Sequence, residues 1–471
     1  MRVRVLGLVL AIAAGAVACS GSTNSFGAPV DLQPPAPNAE LEPALVGGRF
    51  GHVVIVVQEN RTFDNLFATF PGADGTLKGL THTGAWIPLV PHSLHSTVAP
   101  DNPHRQWVED YDRGKMDGFD VVGVCCGWPK TYVYQYVKPS DIKAYWFIAS
   151  HYVLADHMFQ TQGSGSFTAH QDLIRGGTEI SPTRSLIDFP TNLPWGCDAP
   201  QGTVTSLIAL HEGYLADRGP FPCMSYSTLR DLLDAKGVSW KYYAPVFESD
   251  WASEIWNAFD GIKVVRYGPE WRTNVSMPST NFFKDVRSGN LPDVSWVIPD
   301  FNYSDHPGCT GCPDLGPQWV ASIVNAIGES QYWNDTAVII VWDDWGGWYD
   351  HVKPPQLDYQ GLGFRVPMLM VAPYALDGVV VHTQYEFGSI IRFVEDNWSL
   401  GRLGTTDVRA RNILDAFDFQ QSPRPFVPIP TRSTPSPSPT PVQTPTPTPT
   451  PSFAPTATPS PTPVASPTAS V

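Results

Sequence analysis

The sequence predicts an α/β fold with a central, mostly parallel sheet covered by helices on both faces. Three observations predict it. Short apolar runs alternate with helix-like patterns between residues 48 and 421. Those runs are almost wholly apolar rather than alternating, as in strands buried on both sides. No internal repeat or linker interrupts the region, so one layered domain is expected.

The strand candidates are "HVVIVV" (52–57), "VSWVI" (294–298), "TAVIIVW" (336–342) and "VPMLMVAP" (366–373). β-Branched residues dominate them and fit a pleated surface. The helix candidates are "DIKAYWFIASHYVLA" (141–155), "STLRDLLDAKG" (227–237), "QWVASIVNAIGES" (318–330) and "GSIIRFVEDNW" (388–398). Segments 71–135 and 180–225 read as long irregular loops, the kind that build sites on α/β scaffolds.

Two flanking segments stay outside the fold. Residues 1–19, "MRVRVLGLVLAIAAGAVAC", read as a signal peptide: two arginines, a short apolar stretch, then small residues. Ala16-x-Ala18 suits ordinary signal-peptidase cleavage, while the approach to Cys19 resembles a lipobox with a lipidated cysteine. The expected location is therefore extracytoplasmic, either secreted or lipid-anchored at a bacterial cell surface. Residues 20–47 form a small, polar tether. Residues 422–471, rich in Pro, Thr and Ser, cannot bury apolar surface and are expected to be a disordered, extended tail.

Lys and Arg number 30 against 45 Asp and Glu, a net charge of −15, which argues against a general nucleic-acid binder but leaves room for a site that binds phosphate locally. Of seven cysteines, six remain after Cys19, an even number for an exported chain. Cys197 and Cys223 are expected to pair. For Cys125, Cys126, Cys309 and Cys312, local bridges, cross-links between the two segments and a soft-metal site all remain open.

The chemistry concentrates where strands end. "HVVIVV" runs into Gln58-Glu59-Asn60-Arg61, and "TAVIIVW" into Asp343-Asp344 before Gly346-Gly347. Ligands in open α/β sheets bind beyond the carboxyl ends of strands. If the two strands are parallel neighbours, Glu59, Asn60, Asp343 and Asp344 meet there as an oxygen-rich site for one divalent metal ion. Any one of these acids alone would more readily be a cap or a surface group. "GSGSFTAHQDLIRGG" offers Ser164, Ser166 and Thr168 on a turn entering a helix. His104, His306 and His351 sit in polar, turn-rich contexts; His157 and His170 suit structural and functional roles equally.

These stretches carry a resemblance. "QENRTFDNLFATFPG", "GKMDGF", "GSFTAHQDLIRGG", "LPDVSWVIPDFNYSDHP" and "VWDDWGGWYDHVKPP" are similar, in order, to the bacterial phosphoesterase family, which includes phosphatidylcholine-type phospholipases C and a periplasmic acid phosphatase. The resemblance implies an alkaline-phosphatase-like sandwich. It implies an exported, metal-dependent phosphoesterase acting on phosphate esters, phospholipids among them. It implies Glu59, Asn60, Asp343 and Asp344 as metal ligands and Ser166 as the nucleophile that forms a phosphoserine intermediate. His104, His306 and His351 are implied as catalytic histidines. Two departures stand out: Gly165-Ser166-Phe167 where phospholipase C members show Gly-Pro-Thr, and Asp305-His306-Pro307 for the usual Glu-His-Pro. A sulfatase-like or diester-specific relative and an idle surface lipoprotein are the competing readings. The intact acids and Ser166 argue against the last.

Overall fold

A computed structural model describes residues 48–96, 98–121, 128–247, 251–308 and 315–431. Cys125, Cys126, Cys309 and Cys312, the signal peptide, the tether and residues 432–471 lie outside the described residues.

Eight strands form the main sheet. In chain order they are β1 (His52–Gln58), β2 (Val153–Ala155), β3 (Trp240–Tyr243), β4 (Val275–Ser276), β5 (Val294–Val297), β6 (Thr336–Trp342), β7 (Met368–Val371) and β8 (Val379–Val381). Their spatial order is β4-β3-β5-β1-β6-β7-β2-β8. All neighbours are parallel except those of β7, which runs antiparallel to both β6 and β2. Two reversals cancel, so the other seven strands share one direction, as the sequence predicts.

All seven residues of β6 are buried. Successive side chains point to opposite faces, so both faces of this strand are covered. The covering helices pack in two groups. One comprises α3 (Lys143–His151), α6 (Asn281–Ser288) and α7 (Gly316–Gly328); the other comprises α4 (Ser166–Arg175), α5 (Leu229–Lys236) and α8 (Phe387–Trp398). The short α1 (Phe63–Phe67) and α2 (His104–Tyr111) lie in the segments that follow β1. One apolar core cluster runs through the sheet and both helix groups.

Three expectations need correction. The run 141–155 is not one helix: it ends at His151, and Val153–Ala155 becomes β2. Helical and buried-strand patterns look alike in a short apolar run, and pairing with β7 and β8 decided the outcome. Segment 180–225 is not irregular; it holds a four-stranded antiparallel sheet made of Glu179–Ser181, Arg184–Ile187, Ser206–Ala209 and Gly213–Leu215. Finally, packing continues past residue 421 to Thr431. Ile429 exchanges two hydrogen bonds with the Asn325 amide of α7, and Phe426 packs on Trp333. Three apolar residues among prolines were enough to dock a segment whose composition reads as disordered. Cys197 and Cys223 are joined by a disulfide.

Candidate active site

The pairing of β1 with β6 sets the site. Gln58 lies beside Trp342 in a parallel register, and Asp343 N–H donates to Gln58 O at 2.9 Å. Glu59-Asn60 and Asp343-Asp344 therefore leave the sheet side by side. Asn60 takes a left-handed φ of 59°, which the short polar Asn tolerates, and its backbone N–H donates to Asp343 Oδ1 at 2.9 Å. Gly346 is needed for close approach: with φ +60°, a Cβ there would lie 2.3 Å from Asn60 O.

Asp344 is heavily tethered. Its Oδ1 accepts from Asn60 Nδ2 (2.9 Å), Asn102 Nδ2 (2.7 Å) and Gly346 N (2.7 Å), while its Oδ2 accepts from Ser166 Oγ at 2.9 Å. Ser166 is the first residue of α4. Thr168 turns away and donates to Ser164 Oγ, which itself accepts from Asp188 N. Of the three hydroxyls that the sequence offers, Ser166 is therefore the one set against the acids. Gly165 is packed so that a Cβ would meet the Phe189 ring at 2.2 Å.

Glu59, Asp343 and Asp344 are fully buried, with Asn60, Ser166 and His170 nearly so. Glu59 Oε2, Asn60 Oδ1 and Asp343 Oδ2 are buried without a hydrogen-bond partner. Buried polar atoms are almost always partnered. Burial, and then the Asp343 carboxylate, hold Glu59 well above the usual carboxylate range; the same two causes raise Asp344. Three acids crowded without a counter-charge and three orphaned oxygens fit a hard divalent cation. Glu59, Asn60 and Asp343 would hold it through those oxygens, with Asp344 and Ser166 alongside.

Sequence reasoning left two contributors unassigned. His170 Nε2 lies 3.0 Å from Glu59 Oε1 and 3.8 Å from Asp343 Oδ2. Burial lowers its pKa to about 4, so the ring is neutral. The signal was its i+4 spacing from Ser166, which puts both on one helix face. Asn102 was visible only as the amide just before Pro103-His104. Arg61 is a tie rather than a ligand. Its guanidinium donates to Asp305 O and Leu94 O and holds the loop carrying His306.

His104 and His306 share one arrangement. Each places Nδ1 on a backbone carbonyl, Gly163 O at 2.7 Å and Pro307 O at 2.5 Å respectively. A carbonyl only accepts, so each Nδ1 carries the proton. Burial lowers both pKa values, that of His306 to about 4. His306 feels the Asp343 charge, and His104 is tied to the turn that carries Ser166.

His351 does not join them. Its Nδ1 lies 2.6 Å from Asp64 Oδ2 and its Nε2 3.3 Å from Asp74 Oδ1, with Arg365 also against the ring. The turn after Gly346-Gly347 carries "YDHV" away from Asp343-Asp344, and a separate buried acid claims the imidazole.

Residues 50–401 match the model of the Phosphoesterase family. Among curated proteins, the chain is 27% identical over 449 residues to "Non-hemolytic phospholipase C" of Pseudomonas aeruginosa, covering 81% of this chain and 59% of that protein. It is 24% identical over 445 residues to "Phospholipase C B" of Mycobacterium tuberculosis, covering 80% and 79%. The chain thus spans 59% of the length of the Pseudomonas relative. Among solved structures, a protein in the alkaline phosphatase superfamily from Vibrio parahaemolyticus aligns with a TM-score of 0.37 and 11% identity over 79% of this chain and 73% of that one. The family match begins at Phe50, just ahead of β1, and runs beyond α8 to Gly401, so it takes in every residue of the site described above: this chain belongs to the phosphoesterase family.

Proposed function

We propose that the protein is an exported, metal-dependent phosphoesterase that hydrolyses phosphate esters of the phospholipase C or acid phosphatase type through a phosphoseryl intermediate on Ser166. The observation that carries this reading is the Ser166 hydroxyl on Asp344, next to three buried oxygens that lack partners. Family membership and the names of the relatives supply the substrate class.

When bound at Glu59, Asn60 and Asp343, a divalent cation supplies charge neutralisation for the phosphate and a lowered hydroxyl pKa. The chain's own residues do the rest. Asp344 fixes the Ser166 rotamer through Oδ2, and three donors to Oδ1 hold Asp344 itself. Ser166 opens α4, so backbone N–H groups at that helix start face phosphate oxygens. Ser166 Oγ gives its proton to Asp344 Oδ2, to which it already donates, and forms the new bond to phosphorus as the bond to the leaving alcohol breaks. Binding of the phosphate anion brings a proton from solvent onto His306 Nε2, and His306 gives that proton to the leaving alcohol. Burial keeps the ring neutral until an anion sits beside it, and its Nδ1–H is already committed to Pro307 O. His104 contributes a second imidazole to the phosphate oxygens. Water then cleaves the phosphoseryl ester, giving a proton to the now neutral His306 as Asp344 returns one to Ser166 Oγ. Export and, through Cys19, lipid anchoring at the cell surface belong to the same reading, with a phospholipid as the substrate that such an anchor would bring within reach.

The test is hydrolysis of p-nitrophenyl phosphate and p-nitrophenylphosphorylcholine by the purified chain, with and without chelator. Activity on at least one substrate, lost in chelator and restored by a divalent ion, is expected. Ser166→Ala should abolish both turnover and the trapped phosphoenzyme. Full activity in chelator, or in Ser166→Ala, contradicts the proposal.

A further inference from the structure

A second group of imidazoles and carboxylates lies farther along the same sheet edge. β8 pairs with β2 in parallel and places Val381 beside Ala155. The residues that follow, His382 and Asp156-His157, therefore leave the sheet together. Seven strands share one direction, so this is the carboxyl edge that also carries Glu59 and Asp343. In the strand order, β7 and β2 lie between β6 and β8.

Asp156 is fully buried and divides its carboxylate between two rings. Its Oδ1 lies 2.8 Å from His157 Nδ1, and its Oδ2 lies 2.7 Å from His382 Nδ1. Asp74 N–H also donates to Oδ2 at 2.8 Å, which brings the Asp74 carboxylate to the far side of His157, 3.4 Å from Nε2. His351 steadies that carboxylate at 3.3 Å. One ligand atom from each of Asp156, His157 and His382 fits within a 4.8 Å span. A tetrahedral ion with bonds of about 2.0–2.1 Å holds its ligand atoms roughly 3.4 Å apart. The His382 side chain is 61% exposed and free to close the small remaining gap, whereas Asp156 is anchored. Arg365, which neutralises the adjacent Asp64 and Asp350, reaches Asp156 only at its backbone oxygen. No guanidinium fills this group.

We infer that Asp156, His157 and His382, with Asp74 beside them, form a second metal site, separate from Ser166. Two imidazoles and carboxylate oxygens select a Zn2+-class transition ion over hard, oxygen-preferring cations such as Ca2+. The ion ties three segments together: the chain after β2, the chain after β8 and the loop carrying Asp74. It is a staple at the edge of the sheet rather than part of the reaction. The inference does not rest on the proposed hydrolytic mechanism.

The whole chain, stripped with chelator, is titrated with Zn2+ by calorimetry, and its melting temperature is followed with Zn2+ and with Ca2+. Glu59→Gln should keep one Zn2+ equivalent and a Zn2+-dependent rise in melting temperature. Adding His382→Ala to Glu59→Gln should weaken that binding at least tenfold and remove the rise. If His382→Ala destabilises the metal-free chain, His382→Gln replaces it, since its amide still reaches Asp156. A Zn2+ isotherm unchanged by the His382 substitution overturns the site. An equal thermal response to Ca2+ and Zn2+ overturns the assignment of the ion.

Discussion

Two buried acid–histidine groups follow β1, and they are solved in opposite ways. Asp64, Asp350 and His351 surround Arg365, which donates to Asp350 Oδ1 at 2.9 Å and to Asp350 Oδ2 at 3.2 Å. Each oxygen of both aspartates accepts at least one hydrogen bond. The guanidinium supplies the counter-charge, so the group is complete as folded. Glu59, Asp343, Asp344 and His170 offer nearly the same residue types but contain no cation of their own. Three of the oxygens around them are left without partners. Residue type alone therefore does not tell these two groups apart. What separates them is the uncompensated buried charge of the second, because a chain that buries acids must neutralise them with protons, a base or an ion.

Changing each group in turn separates the two arrangements. Glu59→Gln and Asp343→Asn should each lower turnover by about a thousandfold or more, the scale of losing a charge-stabilising group in a reaction centre. The metal-stripped forms should melt no lower than the stripped wild type, since each change removes a buried charge rather than a packed contact. A large fall in melting temperature would make these acids structural. Arg365→Met should do the reverse. It leaves Asp64 and Asp350 buried without a partner and should destabilise the fold by about 3–5 kcal/mol, read from denaturant unfolding. An unchanged midpoint would mean that Arg365 is not what completes its group.

Asn102→Ala tests the tethering of Asp344. Loss of a supporting donor beside a metal site typically weakens metal binding by about 10–100-fold. Calorimetry on the variant should show a drop of that size with the melting temperature of the stripped chain retained. The smallest effect is expected from His351→Gln. Burial lowers the His351 pKa, but the Asp64 hydrogen bond and charge outweigh it and leave the pKa raised above 6.5. A raised histidine binds more protons folded than unfolded. Its contribution to stability is present below pH 6.5 and is lost as pH rises through the folded value. The variant should show less loss of stability across that rise and nearly wild-type turnover. A severe loss of turnover would return His351 to the reaction.

The positions proposed for the metal and the nucleophile were legible because strand pattern and chemistry coincide. A run such as "TAVIIVW" announces its own end, and the acids stand at that end. Parallel pairing of β1 with β6 then converts two sequence positions into one site. Ser166 was legible through its register, and the structure sets its hydroxyl, not that of Thr168, against Asp344. His351 was less so. A histidine eight residues beyond Asp343 looks local in sequence, but the two glycines turn the chain, and Asp64, 287 positions away, takes the ring. Asn102 and His170 carried weak signals because an amide in a loop and a histidine on a buried helix have many ordinary uses. The small antiparallel sheet within 179–215 was missed for a similar reason: its strands are three or four residues long and split by polar turns.

The orphaned oxygens of Glu59, Asn60 and Asp343 should hold a divalent ion beside Ser166. Anomalous diffraction from crystals soaked in Mn2+ tests it most directly. A peak about 2.0–2.4 Å from those three oxygens, absent in Glu59→Gln crystals grown the same way, is the result expected. No peak there in the wild type, or a peak instead among Asp64, Asp350 and Arg365, would contradict the account.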